Sequence, residues 1–447
     1  MSSTTRAAER LLAAGLSAAE AERKARLFEA ADRRLGVLSS GDVVRWFVPG
    51  RIEVFGKHTD YAGGRSLLCA VERGICVVAQ PRLDRVVRIA DATLGLESSL
   101  RLSDEQAVPE KGGWTAYPAA VVRRIARDFP GSFVGADIAI ASDLPRSAGL
   151  SSGSALVVAI FTALAHVNAL EEHAAYCANI RSAEDLAGYL GAIENGLSFG
   201  TLGGDHGVGT SGGSEDHTAI LCCRAGHVSQ YSFLPVRREK EVAVPQHWTF
   251  VVAASGVTAE KAGGARELYN RLSLAASVVL DVWREKAGGA ATTLGQVAHE
   301  PGGSERIREI LRQSVHPGFS AGELSSRFEQ FLEESEVLVP AAARAFEAAD
   351  AAALSEIAAR SEAGAEHSLR NQIPETIGLV TSARALGAMA ASAFGAGFGG
   401  SVWALVEREQ AEHFRVAWQD DYRRSFPNAA ASSEFFATRA GPGRLRL

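Results

Sequence analysis

The chain has 447 residues, more than one hydrophobic core usually serves, so its length predicts two domains. A hydrophobic content of 47% and a charged content of 22% exclude a disordered or low-complexity protein. The net charge of −6, with no block of Lys and Arg, argues against a nucleic-acid binder.

The cysteine and hydropathy patterns indicate a cytoplasmic protein with no membrane partner. The amino-terminal segment lacks the uninterrupted apolar region of a signal peptide. The most apolar helix candidate, residues 154–170, is slightly short for a membrane span and carries His166 and Asn168, so we predict a core helix. An odd number of cysteines without metal-ligand spacing favours buried free thiols in a reducing cytosol. These cysteines are Cys69, Cys76, Cys177, Cys222 and Cys223.

The predicted elements mix helices and strands without regular alternation, which favours the α+β class. Residues 6–35 read as helical, and β-branched runs between residues 42 and 100 read as strands joined by glycine-containing turns. Further along the chain, the patterns predict helices at 114–128, 154–170 and 181–195, and strands at 137–142, 218–223, 248–255 and 401–407. A polar, proline-bounded segment at 235–247 predicts a boundary between domains 1–240 and 241–447.

The stretch VPGRIEVFGKHTDYAGGRSLL, residues 48–68, crowds ionisable groups beside apolar, strand-like runs. Arg51, Glu53, Lys57, His58 and Asp60 lie within ten positions. Burying charges is costly unless partners satisfy them. The pattern therefore indicates a site at which these groups meet each other or a ligand.

A second stretch, LPRSAGLSSGS (144–154), leads from a predicted strand into the apolar helix. Glycine permits close backbone approach, serine offers hydroxyls and helix caps, and a helix start presents free N–H groups. These features suit a phosphate site, but an ordinary capped turn fits the pattern as well. The stretch matches neither the P-loop nor GxGxxG.

Two further glycine-rich segments precede predicted strands. Residues 195–217 end at Glu215-Asp216-His217, where a fixed acid could serve as a base or as a solvated loop acid. The segment SAFGAGFGGSVWAL, residues 392–405, could lie against a ligand or form a tight packing turn.

Taken together, these stretches resemble, in order and spacing, the motifs of the GHMP kinases, the superfamily of galactokinase, homoserine kinase, mevalonate kinase and phosphomevalonate kinase. PGRIEVFGKHTDYAGG is similar to the galactokinase signature GR-x-N-x-x-GEH-x-DY-x-x-G. LPRSAGLSSGSAL resembles the phosphate loop LP-x-G-x-GLSSSA, GVGTSGGSEDH the loop G-x-x-x-G-x-MDQ, and GAGFGGS the motif G-G-G-F-G-G. The residues matching the galactokinase signature are Arg51, Gly56, His58, Asp60, Tyr61 and Gly64.

The resemblance covers most of the chain and implies a two-domain GHMP kinase fold. It implies a mixed-sheet amino-terminal domain and a ferredoxin-like α+β carboxyl-terminal domain. The implied activity is transfer of the γ-phosphoryl group of ATP to the anomeric hydroxyl of galactose or a related monosaccharide, with Mg²⁺ as cofactor. Asp216 takes the position of the catalytic aspartate and Arg51 that of its arginine partner. Oligomeric state is not implied.

The resemblance also assigns binding residues. The candidate substrate-binding residues are Glu53, Lys57, His58, Asp60, Gly213 and Tyr269. The candidate ATP-binding residues are Trp114, Pro145, Ser147, Gly149, Leu150, Ser151, Ser152, Gly153 and Ser154, although Trp114 could equally be a buried aromatic. Gly397, Gly399 and Gly400 are expected to support the site from the second domain.

The implied metal ligands are a loop serine and an upstream glutamate. Gly153 stands at the position of that serine, so Ser152 is our substitute. For the acid we prefer Glu194, with Asp205 as the alternative because it lies closer in sequence to Asp216.

Several departures from the family pattern surround the expected sugar site. Lys57 replaces the glutamate of GEH, Glu53 replaces an asparagine, and Glu215-Asp216-His217 replaces Met-Asp-Gln. Lys57 could point away and pair with Glu53 or another acid, or it could bind a substrate carboxylate or phosphate. The hypotheses are therefore a galactokinase-like sugar kinase, a kinase for an acidic or phosphorylated sugar, and a non-catalytic sugar and ATP sensor. The retained Arg51 and Asp216 argue against the sensor.

Overall fold

The computed structural model describes residues 3–36, 43–109, 113–131, 133–145, 148–257 and 264–447. It has an α+β architecture built on two sheets, as expected. The strands are, in chain order, β1 (Val44–Phe55), β2 (Arg65–Pro81), β3 (Val86–Asp91), β4 (Glu97–Arg101), β5 (Ala136–Ser142), β6 (His227–Ser232), β7 (Arg237–Ala243), β8 (Trp248–Ala254), β9 (Ala390–Ala393), β10 (Ser401–Glu407), β11 (Glu434–Thr438), β12 (Ala440–Gly441) and β13 (Leu445–Arg446).

Helices cover both sheets. They are, in chain order, α1 (Ser3–Ala13), α2 (Ala18–Leu35), α3 (Ala116–Asp128), α4 (Ser152–Val167), α5 (Ala174–Asn179), α6 (Ala183–Asn195), α7 (Glu215–Cys222), α8 (Gly264–Ala287), α9 (Leu294–His299), α10 (Gly303–Arg312), α11 (Ala321–Leu332), α12 (Val339–Glu347), α13 (Ala351–Ala363), α14 (Pro374–Ala385), α15 (Ala411–Ser425) and α16 (Pro427–Ala430). Two π-helical segments, Glu333–Leu338 and Gly364–Leu369, interrupt the helical run of the second half.

The first sheet is mixed, with the order β13-β1-β2-β5-β3-β4. Strands β3 and β5 run parallel, and the remaining pairs of this sheet are antiparallel. The long strand β2 also pairs with β6 and β12, and β6 pairs with β7. Because β12 and β13 come from residues 440–446, the second half of the chain returns to complete the first sheet.

The second sheet is antiparallel, with the order β11-β8-β10-β9. Helices α14 and α15 pack on one face through residues such as Leu379 and Trp418. Helices α12 and α13 cover the other face through residues such as Phe346 and Leu354, within a core shared with the first sheet. A separate apolar cluster joins α8 through α11 and reaches Tyr61 and Ala62 of the first half.

Most predicted elements are confirmed, and one is wrong. Residues 218–223 were expected to form a strand, but they belong to helix α7, where Ala219 and Ile220 are buried. A short apolar run cannot by itself distinguish a buried strand from a buried helix. The helical stretch 6–35 is divided between α1 and α2, with Gly15 at a φ of 110° between them. The boundary at residue 240 remains a prediction.

The apolar helix predicted at 154–170 is the core helix α4, whose residues Ala155–Ala165 are buried. None of the described helices is both long and apolar enough to cross a bilayer. The cysteines are free thiols, of which Cys69, Cys76 and Cys223 are buried, Cys222 is half-buried and Cys177 is exposed.

Candidate active site

A cavity of about 500 Å³ opens where β1, the start of α4, the start of α7 and the loop after β9 meet. Most of the predicted site residues line it, although their segments are far apart in the sequence. They are Arg51, Glu53, His58, Asp60, Trp114, Gly149, Ser151, Ser152, Gly153, Ser154, Glu194, Gly213, Asp216 and Tyr269. The fold thus brings the expected sugar and phosphate residues into one cavity.

An ion pair between Arg51 and Asp216 lies in this cavity. The Arg51 Nε and Nη2 atoms lie 2.8 and 2.6 Å from Asp216 Oδ1. The guanidinium also donates from Nη1 to the carbonyl oxygen of Gly149 at 2.5 Å, and the Arg51 backbone N–H donates to the Leu150 carbonyl oxygen. Strand β1 therefore positions Arg51 against both Asp216 and the backbone of Gly149 and Leu150, in the loop before α4.

The groups around Arg51 stabilise the positive charge of its guanidinium. Burial by itself would lower the pKa of the guanidinium, but Asp216, Glu215 and Glu53 together raise it above its ordinary value. Arg51 is 5% exposed, so these carboxyl groups act on it with little solvent screening.

Asp216 lies in the first turn of helix α7, and not at the loop–strand junction that the sequence suggested. The helix begins after Ser214, so its positive dipole end faces the carboxylate. Asp216 Oδ2 lies 3.1 Å from the hydroxyl of Ser154 on α4. The acid is thus oriented by Arg51, by Ser154 and by its place on the helix.

Further carboxyl groups crowd the same end of the cavity. Asp60 accepts hydrogen bonds from the backbone N–H groups of Tyr61 and Glu215, at 2.8 and 3.1 Å. Burial raises the pKa of Asp60 despite these donors. Gly213 packs directly on Asp60, because a Cβ at Gly213 would lie 2.3 Å from Asp60 Oδ2. Glu53 faces the backbone of Gly395 in the loop after β9.

His58 stands in the turn after β1 with a φ of 58°. Its Nδ1 atom lies 2.8 Å from the hydroxyl of Tyr61, and its ring lies against Tyr269 with centroids 5.1 Å apart. Burial and the nearby cation of Arg327 lower the pKa of His58 to about 3. The imidazole is therefore neutral at physiological pH, and it offers hydrogen bonds without a charge.

Lys57 is not among the residues that line the cavity. Its Nζ atom donates to Ser392 Oγ at 2.6 Å and to Ser361 Oγ at 2.9 Å, and it lies 3.5 Å from Glu362 Oε2. With 1% of its surface exposed, Lys57 sits in the core between the β1 turn and the second half of the chain. Of the two interpretations of this departure, the geometry favours the one in which Lys57 points away and pairs with an acid. It does not bring Lys57 to a substrate.

In the loop before α4, Gly153 stands where the family pattern has a serine, and the structure gives a steric reason. A Cβ at Gly153 would lie 2.4 Å from the ring of Tyr117, which packs over this position. The next residue, Ser154, supplies a hydroxyl instead, 2.8 Å from Glu194 Oε2. Ser151 precedes α4 in the left-handed region with a φ of 62°, and its Oγ atom has no hydrogen-bond partner among the described residues.

Some predicted loop residues lie elsewhere. Pro145 and Leu150 are buried and do not line the cavity, although the Leu150 carbonyl holds Arg51. Ser147 lies outside the described residues. From the last loop Gly397 lines the cavity, whereas Gly399 and Gly400 do not.

The two candidate metal acids have different surroundings. Glu194, at the end of α6, faces the cavity with Ser154 and lies 3.2 Å from the Nε2 atom of His217. Asp205 lies outside the cavity and pairs with Arg123 and Arg127 of helix α3. Burial opposes its ionisation, but these arginines hold the pKa of Asp205 below its ordinary value. Of the two acids only Glu194 lines the cavity, and its role as a metal ligand stays a prediction.

The sequence did not indicate several residues that shape the site. Arg327 of α11 donates to the carbonyl oxygen of His58 and to the hydroxyl of Tyr61, and it lies 266 positions after Tyr61. Asn195 accepts from the backbone of Gly212 at 2.7 Å and so fixes the loop before Asp216. No local pattern marks Arg327. Asn195 could have been suspected because it directly follows Glu194 at the end of a predicted helix.

Models of known families match the chain in three places. The galactokinase galactose-binding signature matches residues 39–81, the amino-terminal GHMP kinase domain matches residues 116–222, and the carboxyl-terminal GHMP kinase domain matches residues 342–424. A curated galactokinase of Roseiflexus sp. (strain RS-1) is 30% identical over 82% of this chain and 84% of its own length. The chain belongs to the galactokinase family of GHMP kinases.

Other galactokinases and related folds agree with this assignment. The galactokinase of Streptomyces coelicolor is 28% identical over 84% of this chain and 88% of its own length. The crystal structure of Lactococcus lactis galactokinase complexed with galactose matches 94% of this chain and 99% of its own, with a TM-score of 0.75 at 20% identity. The Methanococcus jannaschii mevalonate kinase structure matches with a TM-score of 0.54, covering 90% of this chain and 99% of its own at 13% identity. These likenesses confirm the GHMP kinase fold.

Proposed function

We propose that this protein is an ATP-dependent galactokinase that transfers the γ-phosphoryl group of ATP to the anomeric hydroxyl of galactose. The observation that carries the proposal is the ion pair between buried Arg51 and half-buried Asp216, joined through Gly149 to the loop at the start of α4. The pair links the expected sugar end of the cavity to the expected phosphate end. Membership of the galactokinase family supports the choice of galactose.

Phosphoryl transfer needs positioning and charge stabilisation more than covalent chemistry by the protein. In the proposed mechanism, Asp216 accepts a hydrogen bond from the reacting sugar hydroxyl and receives its proton as the hydroxyl oxygen bonds to the γ-phosphorus and the bond from that phosphorus to the departing ADP oxygen breaks. Arg51 holds Asp216 in place by its 2.6 Å contact and stabilises negative charge that develops on the transferred group.

The remaining sugar hydroxyls are proposed to contact His58, Asp60 and Tyr269. A neutral imidazole, a carboxyl and a phenol provide both donors and acceptors without a second fixed cation at the cavity surface. Burial raises the pKa of Tyr269 well above its ordinary value, so its hydroxyl keeps its proton and can donate.

On the nucleotide side, Gly149 and the residues 151–153 are proposed to contact the phosphates at the start of α4. The helix N-terminus and the free Ser151 hydroxyl both favour an anion. Trp114 and Tyr117 line the same cavity and could enclose the base.

The oxygens near Asp216 fit Mg²⁺ carried by ATP. Ser154 Oγ lies within 3.1 Å of carboxylate oxygens from both Glu194 and Asp216, a hard-oxygen donor set of the kind Mg²⁺ prefers. The described residues contain no cluster of three or more His, Cys, Asp or Glu able to cage a metal. An ion held mainly by phosphates, with Glu194 and Ser154 as protein ligands, fits this arrangement, so Ser154 replaces Ser152 as our proposed serine. Bound with ATP, Mg²⁺ would neutralise charge on the phosphates.

A substrate panel tests the proposal. ADP release should depend on galactose and on ATP, and galacturonate should give no release above background. Activity on galacturonate but not on galactose would overturn the choice of sugar. Binding of ATP and a sugar without ADP release from any member of a broad panel would overturn the enzymatic proposal.

A further inference from the structure

A second cavity, of about 300 Å³, lies apart from the candidate active site. Its wall includes Thr162 of helix α4 together with Arg444 and Arg446 near the end of the chain. Its described lining residues are all different from those of the active-site cavity. On α4, Thr162 lies about 12 Å along the helix axis from Ser154, which lines the active-site cavity, so the two cavities are separate sites.

The backbone places two arginines beside Trp46 in this cavity. Strand β13 pairs with β1, and Arg446 stands directly opposite Trp46 in the register. The backbone N–H of Arg444 donates at 2.7 Å to the carbonyl oxygen of Ile220 in helix α7. The guanidinium carbons of Arg444 and Arg446 lie 5.0 and 5.8 Å from the Trp46 ring centroid. Both cations therefore lie against the same indole ring at the cavity wall.

These guanidiniums contact uncharged groups and not acids. Arg444 Nη1 donates to the hydroxyl of Thr162 at 2.8 Å, and Arg446 Nη2 lies 3.3 Å from His166 Nε2. Among the residues that the structure describes, neither arginine forms an ion pair with a carboxylate. Burial lowers the pKa of Arg444, and the more distant Glu171 only partly opposes this. A partly buried cation without a contacting counter-ion favours an anionic ligand.

The donors of the cavity fit a phosphate group. Each guanidinium presents a planar fork of N–H groups that can bind two phosphate oxygens. Tyr176 lines the same cavity, and burial raises the pKa of its phenol to about 12, so the hydroxyl keeps its proton and can donate. A phosphate monoester has three terminal oxygens and a carboxylate has two, so the phosphate uses more of these donors.

The remaining wall fits a neutral, hydroxyl-bearing group. Glu171 and Glu172 line the cavity and are exposed to solvent. Ionised carboxylates accept hydrogen bonds from hydroxyl groups, and they would repel a second anionic group of the ligand. Phe161 and Leu186 add apolar surface. The cavity therefore favours a ligand with a single phosphate on a polyhydroxyl body.

We propose that this second cavity is a binding site for a phosphorylated monosaccharide. Its phosphate contacts Arg444 and Arg446, and its hydroxyls contact Glu171 and Glu172. The inference does not depend on the function proposed for the first cavity, because the two sites share no lining residue.

Nuclear magnetic resonance of the tryptophan indole N–H groups tests this site. Trp46 lines the second cavity and Trp114 lines the first, so each reports on one site, and Trp46→Phe identifies the first resonance. The probes are glucose 6-phosphate, glucose 1-phosphate and fructose 6-phosphate. At least one should shift the Trp46 resonance at millimolar concentration and leave that of Trp114 in place. Shifts confined to Trp114, or no shift of Trp46 with any probe, would overturn the inference.

Two comparison ligands test the chemical class. The probe that shifts Trp46 should bind at least tenfold more tightly than inorganic phosphate, and glucose should give no shift. Equal affinity for inorganic phosphate would overturn the assignment to a sugar phosphate.

Substitutions test the two arginines. Arg444→Gln and Arg446→Gln should each lower the affinity for the sugar phosphate at least tenfold. The matched control is Arg423→Gln, an exposed arginine of α15 that lies outside the cavity, and it should keep the wild-type affinity. Circular dichroism establishes folding, and the exposed Arg446 keeps the test available if Arg444→Gln fails to fold. Wild-type affinity in folded Arg446→Gln would overturn the proposed contact.

Discussion

Arg51 on strand β1 and Lys57 in the turn after it are both buried cations. They differ in whether their charged groups face the cavity. Arg51 lines it and contacts Asp216, whose carboxylate also faces that space. Lys57 has its three donors directed at Ser361, Ser392 and Glu362, inside the core. Burial and charge therefore do not identify a functional residue. What distinguishes Arg51 is a counter-ion that remains within reach of a ligand.

The largest expected effect is the loss of activity that follows when the carboxylate of Asp216, the cavity partner of Arg51, is neutralised. Asp216→Asn should lower kcat by roughly 10³-fold or more, because the proton acceptor and the partner of Arg51 are both lost. The phosphate loop is untouched, so the ATP dissociation constant measured by calorimetry should change less than about threefold.

Asp205→Asn is the matched control, since Asp205 belongs to the same glycine-rich segment but lies outside the cavity. Its kcat should stay close to wild type. Full activity in Asp216→Asn, or an equal loss in both variants, would contradict the role of Asp216.

Neutralising Lys57, the cation in the core, should reduce the stability of the protein. Lys57→Met leaves Glu362 buried without its cation, which should lower the free energy of unfolding by about 3–5 kcal/mol in denaturant titrations. The KM for galactose should change by less than about threefold, because Lys57 does not line the cavity.

The double variant Lys57→Met/Glu362→Gln should recover part of this stability, since it removes the unpaired charge as well. A large rise in the galactose KM, with stability unchanged, would place Lys57 in substrate binding instead.

A smaller effect concerns His58, which directly follows Lys57 in the turn after β1. Its pKa of about 3 in the folded protein lies below the ordinary 6.5, so below pH 6.5 the unfolded chain binds a proton that the folded chain does not. The contribution of His58 to stability should therefore be complete above pH 6.5 and decline as the pH falls from 6.5 towards 3. The decline should reach about 3 kcal/mol near pH 4.

His58→Gln should flatten this decline in denaturant titrations at several pH values. The exposed His413→Gln should leave it unchanged. A variant of His58 with the wild-type slope would show that acid destabilisation arises elsewhere.

Much of the site could be predicted because the family motifs are local in sequence. The β1 turn, the loop before α4 and the segment before α7 each carry their functional residues within a few positions. Their common cavity then follows from the fold that the motifs imply. Arg51 and Asp216 were paired on this basis, and they lie in contact.

The surroundings of Asp205, Lys57 and the loop serine could not be predicted, for a different reason. Each of these positions depends on contacts with residues that are distant in the sequence. The pairing of Asp205 with Arg123 depends on helix α3, and the contacts of Lys57 depend on helix α13 and strand β9. The ring of Tyr117 over Gly153 decides which serine faces Glu194. The strand assignment of residues 218–223 failed for a separate reason, because so short an apolar run, with Thr218, Ala219 and Ile220 all buried, does not reveal the helical period.

The return of β12 and β13 to the first sheet has a consequence for folding. Residues 440–446 pair with β1 and β2, about 370 to 400 positions earlier, so the sheet that carries Arg51 gains these neighbours only after the second half of the chain is made. Contacts that close such long loops form late in folding, and they slow it. Ribosome-bound chains lacking this segment should present an open edge at β1, the kind of surface on which chaperones act and aggregation begins.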